Sequence, residues 1–163
     1  MIIQKVENNV YSFKGFTEED MDWKNFAGEK KNNSRYAPAH PNFCLYIPED
    51  LANELRDRNV TVKIKEPRNP GDEARYQINL KINMDYYIPP EVYIRKTGLE
   101  KEMLGKDDLY ILDHKQITYG EMLAKINYNQ QTENVGTLYV NLLGVKVREN
   151  PFDADWAEQE FPQ

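Results

Sequence analysis

Cysteine is almost absent from this 163-residue chain. The single one, Cys44, has no intrachain partner, so no disulfide holds the fold. It stands in the apolar run Phe43-Cys44-Leu45-Tyr46-Ile47, where a thiol is expected to be buried and inert rather than nucleophilic. Histidine is as scarce: His40 and His114 lie far apart without a cysteine or histidine at ligand spacing, which argues against zinc. There is no glycine-rich phosphate loop and no Gly-x-Ser-x-Gly elbow. The carboxylate pairs Asp72-Glu73 and Asp107-Asp108 lie in polar loop sequence, where solvated turns account for them. With no catalytic constellation and no cofactor or metal motif, a binding protein is expected rather than an enzyme. No apolar run nears the roughly 20 residues of a membrane span. The start, Met1 to Val10, turns polar after three residues, unlike a signal peptide. A cytoplasmic protein is expected.

Basic residues are missing from one stretch, Glu149 to Gln163. It carries five acids (Glu149, Asp153, Asp155, Glu158 and Glu160) and three aromatics, Phe152, Trp156 and Phe161. Removing those five from the 27 acidic residues leaves 22 against 21 basic ones, so most of the −6 net charge sits there. One reading is an acidic tail that competes for a basic groove and docks partner proteins. The other is a short helix whose Phe152 and Trp156, four apart, pack on the domain. The expected organisation is one domain over 1–150 and a tail over 151–163.

The body reads as strands. Val60 to Lys65 alternates, with Val60, Val62 and Ile64 on one face and Thr61, Lys63 and Lys65 on the other. After a Pro/Gly-rich turn, Arg75 to Met84 alternates again. Tyr76, Ile78, Leu80, Ile82 and Met84 oppose Arg75, Gln77, Asn79, Lys81 and Asn83. The pair predicts an antiparallel hairpin with one buried face and one cationic, carboxylate-free face. Further strands are expected at 42–47, 91–96, 117–129 and 137–148. In the last, Leu138, Val140 and Leu142 share a face before the apolar phase jumps to Leu143, Val145 and Val147, which predicts a bulge beside Gly144. A short helix is expected over Pro48–Arg58 with Leu51 and Leu55 inward, and a second turn over Lys106–Leu112. Many strands with little helix predict a mainly β fold, a small antiparallel barrel of the partly open OB type, with an open sandwich as the alternative.

Single strands are held by aromatic stacking and cationic backbone contacts. Lys63, Lys65, Arg75 and Lys81 are the expected phosphate contacts. Tyr93, beside Arg95 and out of phase with Val92 and Ile94, is a stacking candidate, whereas Tyr76 reads as core. The segment Trp23 to Tyr36 adds Lys24, Phe26, Lys30, Lys31 and Arg35, either as a loop that folds over a strand or as a solvated loop anchored by Trp23 and Phe26.

Several pieces occur in a familiar order: Trp23-Lys-Asn-Phe-Ala-Gly28, Asn42-Phe-Cys-Leu45, the Leu51/Leu55 helix and Val60-Thr-Val-Lys63. Ile88-Pro-Pro90, Val92-Tyr93, Ile111-Leu-Asp113, Tyr128-Asn129, Gly136-Thr-Leu-Tyr139 and an acidic end with Phe152 follow. From about Asn9 to Trp156 the chain resembles a family of phage and mobile-element proteins similar to OB-fold single-stranded DNA-binding proteins. It departs at Pro41, where that family has a basic residue. The resemblance implies an accessory role in replication or recombination, with single-stranded DNA as ligand and replication or recombination proteins as partners of the tail; a homo-oligomer is compatible with it. The competing expectation is a phage structural or host-interaction barrel that binds no nucleic acid.

Overall fold

A computed structural model of the chain describes residues 1–28 and 40–148. Its strands are β1 (Ile2–Glu7), β2 (Val10–Phe16), β3 (Met21–Asn25), β4 (Asn42–Ile47), β5 (Lys63–Lys65), β6 (Arg75–Lys81), β7 (Glu91–Lys96), β8 (Glu102–Met103), β9 (Gln116–Asn129) and β10 (Val135–Arg148). One α-helix, α1 (Glu49–Asp57), follows β4, and a 3-10 segment, Lys106–His114, precedes β9. The protein is mainly β, as its alternating runs predict.

The strands form one sheet in the order β1-β2-β9-β10-β6-β4-β3, with β5 on β6, β7 on β10 and β8 on β7. Most ladders are antiparallel, as expected, while β10 pairs with both β6 and β7 in parallel. Among the described residues no ladder joins β1 or β2 to β3 or β4. The core closes that gap. Phe43 on β4 stacks on Phe16 of β2 at 6.3 Å between centroids and on Phe26, beyond β3, at 5.3 Å. Offset aromatic pairs at such spacings add attraction beyond their buried area. From α1, Leu51, Ala52 and Leu55 enter the same cluster, and Pro48 precedes its first turn, where a missing N–H costs nothing.

Three local expectations change. First, β5 is only three residues long and Ile64 is exposed, because β5 is an edge segment with β6 as its sole ladder partner. Second, the β10 bulge falls between Val140 and Leu142 rather than beside Gly144. Asn141 is the extra residue, so Leu142 leaves the face of Leu138 and Val140, while Gly144 keeps regular register with Glu121 and Tyr93. Third, Met21–Asn25 is an edge strand on β4, not loop.

Candidate nucleic-acid interface

Strand alternation places the candidates. On β6, Ile78 and Leu80 are fully buried, so Arg75, Gln77, Asn79 and Lys81 share the opposite face. Lys63 is in register with Gln77 and Lys65 with Arg75. The four cations read from the sequence therefore share one sheet face. Register extends that face in rows. Lys81 stands between Asn42 of β4 and Tyr139 of β10, and Tyr139 is opposite Lys125 of β9. Asn79 is opposite Cys44, which pairs with Trp23 on β3. Gln77 is opposite Tyr46.

Two adjoining hollows open on this face. The larger, about 860 Å³, has Lys81, Lys125, Tyr86, Tyr128 and Tyr139 in its lining, with amides from Asn83, Asn127 and Gln131. The smaller, about 240 Å³, is lined by Lys63, Gln77, Asn79 and Cys44, and it shares Lys81 and Thr137 with the larger. No carboxylate lines either one among the described residues. In a chain with 27 acids against 21 bases, that exclusion makes a local field opposite in sign to the net charge.

One carboxylate does reach the edge of the face. Asp22 accepts hydrogen bonds from Lys65 Nζ and from Tyr46 Oη, both at 2.7 Å. The Lys65 ammonium, then the Tyr46 hydroxyl, holds the Asp22 carboxyl below its ordinary range; the same contact raises Lys65. The Arg75 guanidinium lies 3.6 Å from the Tyr46 ring centroid, so it is held flat on an aromatic. Lys65 and Arg75 thus enter the face as a pre-formed cluster partly neutralised by Asp22. The Gln77 amide lies near enough to Asp22 to help hold its carboxyl down, yet neither amide atom makes a well-formed hydrogen bond among the described residues.

The Trp23 to Gly28 segment divides. Trp23 is 40% exposed on the face, its Nε1 donating to Cys44 Sγ at 2.8 Å. Cys44 is buried, but beneath Trp23 on the polar face rather than in the apolar core. Phe26 is corrected from stacking candidate to core residue, 1% exposed against Phe43. Lys24 is likewise corrected: its ammonium donates to the carbonyls of Leu112 and Lys115 and pairs with Glu18 at 2.7 Å, leaving it no freedom to reach a phosphate. Asp113 accepts from the backbone N–H groups of Phe26 and Ala27 at 2.8 and 2.9 Å. The sequence pieces Trp23–Gly28 and Ile111–Asp113 therefore belong together because one pins the other.

Tyr93 and Arg95 point outward from β7, but beside the half of β10 beyond its bulge. They do not line either hollow. Tyr93 donates to Glu91 and lies under Lys101, 4.3 Å from the ring centroid. Lys30, Lys31, Arg35 and Tyr36, and the acidic stretch with Phe152, Asp153, Asp155, Trp156, Glu158, Glu160 and Phe161, lie outside the described residues. Tyr139, Lys125 and Tyr86 were missed by the reading from sequence. For the first two a signal existed: they alternate with buried Leu138, Val140, Ala124 and Ile126 as Lys81 does with Leu80. Tyr86 sits in an irregular loop with no periodic signal.

A curled, open β-sheet with a cationic, tyrosine-lined face defines a class of proteins that take extended polyanions. Residues 12–157 match the family described as "Putative phage ssDNA-binding domain", and the chain belongs to that family. Among solved structures it is similar to the single-stranded DNA-binding protein from bacteriophage Enc34 in complex with ssDNA, at 12% identity and a TM-score of 0.51, covering 90% of this chain and 93% of that one. A second structure of the single-stranded DNA-binding protein from bacteriophage Enc34 matches at 12% identity and a TM-score of 0.48, over 92% of this chain and 91% of that chain. No protein of curated function matches the sequence.

Proposed function

We propose that this chain binds single-stranded DNA without sequence preference and serves as an accessory protein of phage or mobile-element DNA replication or recombination. The carrying observation is the pair of adjoining hollows that share Lys81 and Thr137 and, among the described residues, contain no carboxylate. Lys63, Lys81 and Lys125 neutralise successive phosphates, with Arg75 and Lys65 extending the track. Tyr139, Tyr86 and Trp23 offer flat surfaces to bases, each stack contributing about 1–3 kcal/mol. Family membership supports this ligand, and so does the fold shared with an Enc34 protein solved in complex with ssDNA. An acidic whole is compatible with it, because the local face sets affinity while net charge acts at longer range. The stretch after Pro151 recruits partner proteins and competes for the same face, Phe161 entering an apolar pocket while acids meet a basic rim.

The test is a fluorescence titration of labelled oligo-dT against duplex DNA at two salt concentrations. Tight oligo-dT binding that weakens with salt, and much weaker duplex binding, is the expected outcome. Absence of oligo-dT binding at low salt leaves the interaction-barrel reading in its place.

A further inference from the structure

On β6 the ladder to β5 ends at Gln77 and the ladder to β10 begins at Leu80. Between those points one edge of the strand has no ladder partner among the described residues, and the 240 Å³ hollow opens there. It is smaller than the roughly 300–1,000 Å³ pockets that take drug-sized ligands, so it suits one flat ring system. Gln77 lines it at 2% exposure, and both its amide oxygen and its amide nitrogen lack a hydrogen-bond partner among the described residues. Nearly all buried polar side chains are paired, because an unpaired one keeps its full desolvation cost. A carboxamide buried in the wall of a hollow, with no well-formed hydrogen bond and only a marginal contact to Asp22, marks a place where a turn of the side chain toward the hollow lets a ligand complete the pairing.

We infer that the hollow seats a single nucleobase, unstacked from its neighbours and paired edge-on to the Gln77 amide, while Lys63 and Lys81 hold the phosphates on either side. This rests on the proposed single-strand binding and adds a base-recognising position to it. A carboxamide presents one donor and one acceptor side by side. Every nucleobase carries an adjacent donor and acceptor on its pairing edge, so rotating the amide by half a turn accommodates all four. The position therefore detects the presence of a base, not its identity. A single strand has no pairing energy to surrender when one base turns inward, which makes this seat selective against duplex.

The experiment compares the wild-type protein with Gln77→Leu on labelled oligo-dT and on an abasic oligomer of equal length, alongside thermal melts. Free Gln77→Leu is expected to melt about 2–4 °C higher, since a buried unpaired amide has been removed. Its affinity for oligo-dT is expected to fall roughly ten-fold, with no difference from wild type on the abasic oligomer. Gln77→Met, unbranched like glutamine, is the second variant should leucine misfold, and the same pattern is expected of it. Unchanged oligo-dT affinity, or an equal loss on both oligomers, overturns the base seat while leaving the interface standing. Wild-type protein that binds neither oligomer overturns the proposed function itself.

Discussion

Trp23 and Phe26 are three positions apart and meet opposite fates. Alternation puts the two on opposite faces: Lys24 is in register with buried Phe43, so Phe26, two residues on and one past the end of β3, drops into the core against Phe43, while Trp23 stays on the open face. From sequence the two looked equivalent, because an aromatic in a cation-rich stretch serves either role. Their separation predicts opposite phenotypes for two substitutions. Phe26→Ala is expected to cost about 3–5 kcal/mol and lower the melting midpoint by at least roughly 6 °C. Tyr139→Ala, on the open face between Lys81 and Lys125, is expected to leave the midpoint within a few degrees and cost about 1–3 kcal/mol of single-strand affinity. Melting curves and oligo-dT titrations on both variants check the pair. The Asp22–Lys65 contact gives a second prediction. Because the Asp22 carboxyl is held below its ordinary range, the ion pair is intact at neutral pH and is lost only as pH falls through that lowered value. Acidification through that lowered value therefore frees Lys65, and Asp22→Asn makes the same change at neutral pH. That variant should bind oligo-dT more tightly, with a steeper salt dependence; weaker binding would mean Asp22 positions the Tyr46–Arg75 cluster rather than restraining it.

At the level of elements, the β5–β6 hairpin and its cationic face were legible because period-two alternation survives wherever one face is buried. The β9–β10 ribbon was legible as two strands but not as half of the interface. The part of it that faces the larger hollow carries Lys125, Asn127, Thr137 and Tyr139, with no charge pattern until the register sets Lys125 beside Tyr139 and Tyr139 beside Lys81. The bulge was visible as a phase jump, yet glycine attracted the assignment to Gly144 when the extra residue is Asn141. Strands β1 and β2 carried no clear enough pattern to be found, and parallel pairing to β10 joins elements far apart in sequence. The β2–β9 pairing depends on close approach at Gly120. A Cβ there would lie 2.2 Å from the Phe16 ring, which is fully buried and cannot retreat. Gly120→Ala is expected to destabilise by about 1–3 kcal/mol or more, and a midpoint unchanged within error would show that the β2–β9 contact is looser than its geometry.

For the molecule as a whole, charge is segregated. Five of the six excess negative charges sit after residue 148, and among the described residues no carboxylate lines the hollows of the sheet face. If the acidic stretch competes for that face, deleting Asp153 to Gln163 should raise oligo-dT affinity most at low salt, where screening is weakest. A fall of several degrees in melting midpoint with affinity unchanged would assign Phe152 and Trp156 to packing instead. The central claim, that phosphates run along the β6–β10–β9 face, is tested most directly by the salt dependence of oligo-dT binding in a Lys81→Gln, Lys125→Gln double variant. Each phosphate contact to a single strand contributes about 0.7 to the slope of log affinity against log salt. Losing two is predicted to make that slope shallower by about 1.4 while the melting midpoint holds, whereas a slope and affinity equal to wild type would place the strand elsewhere on the protein.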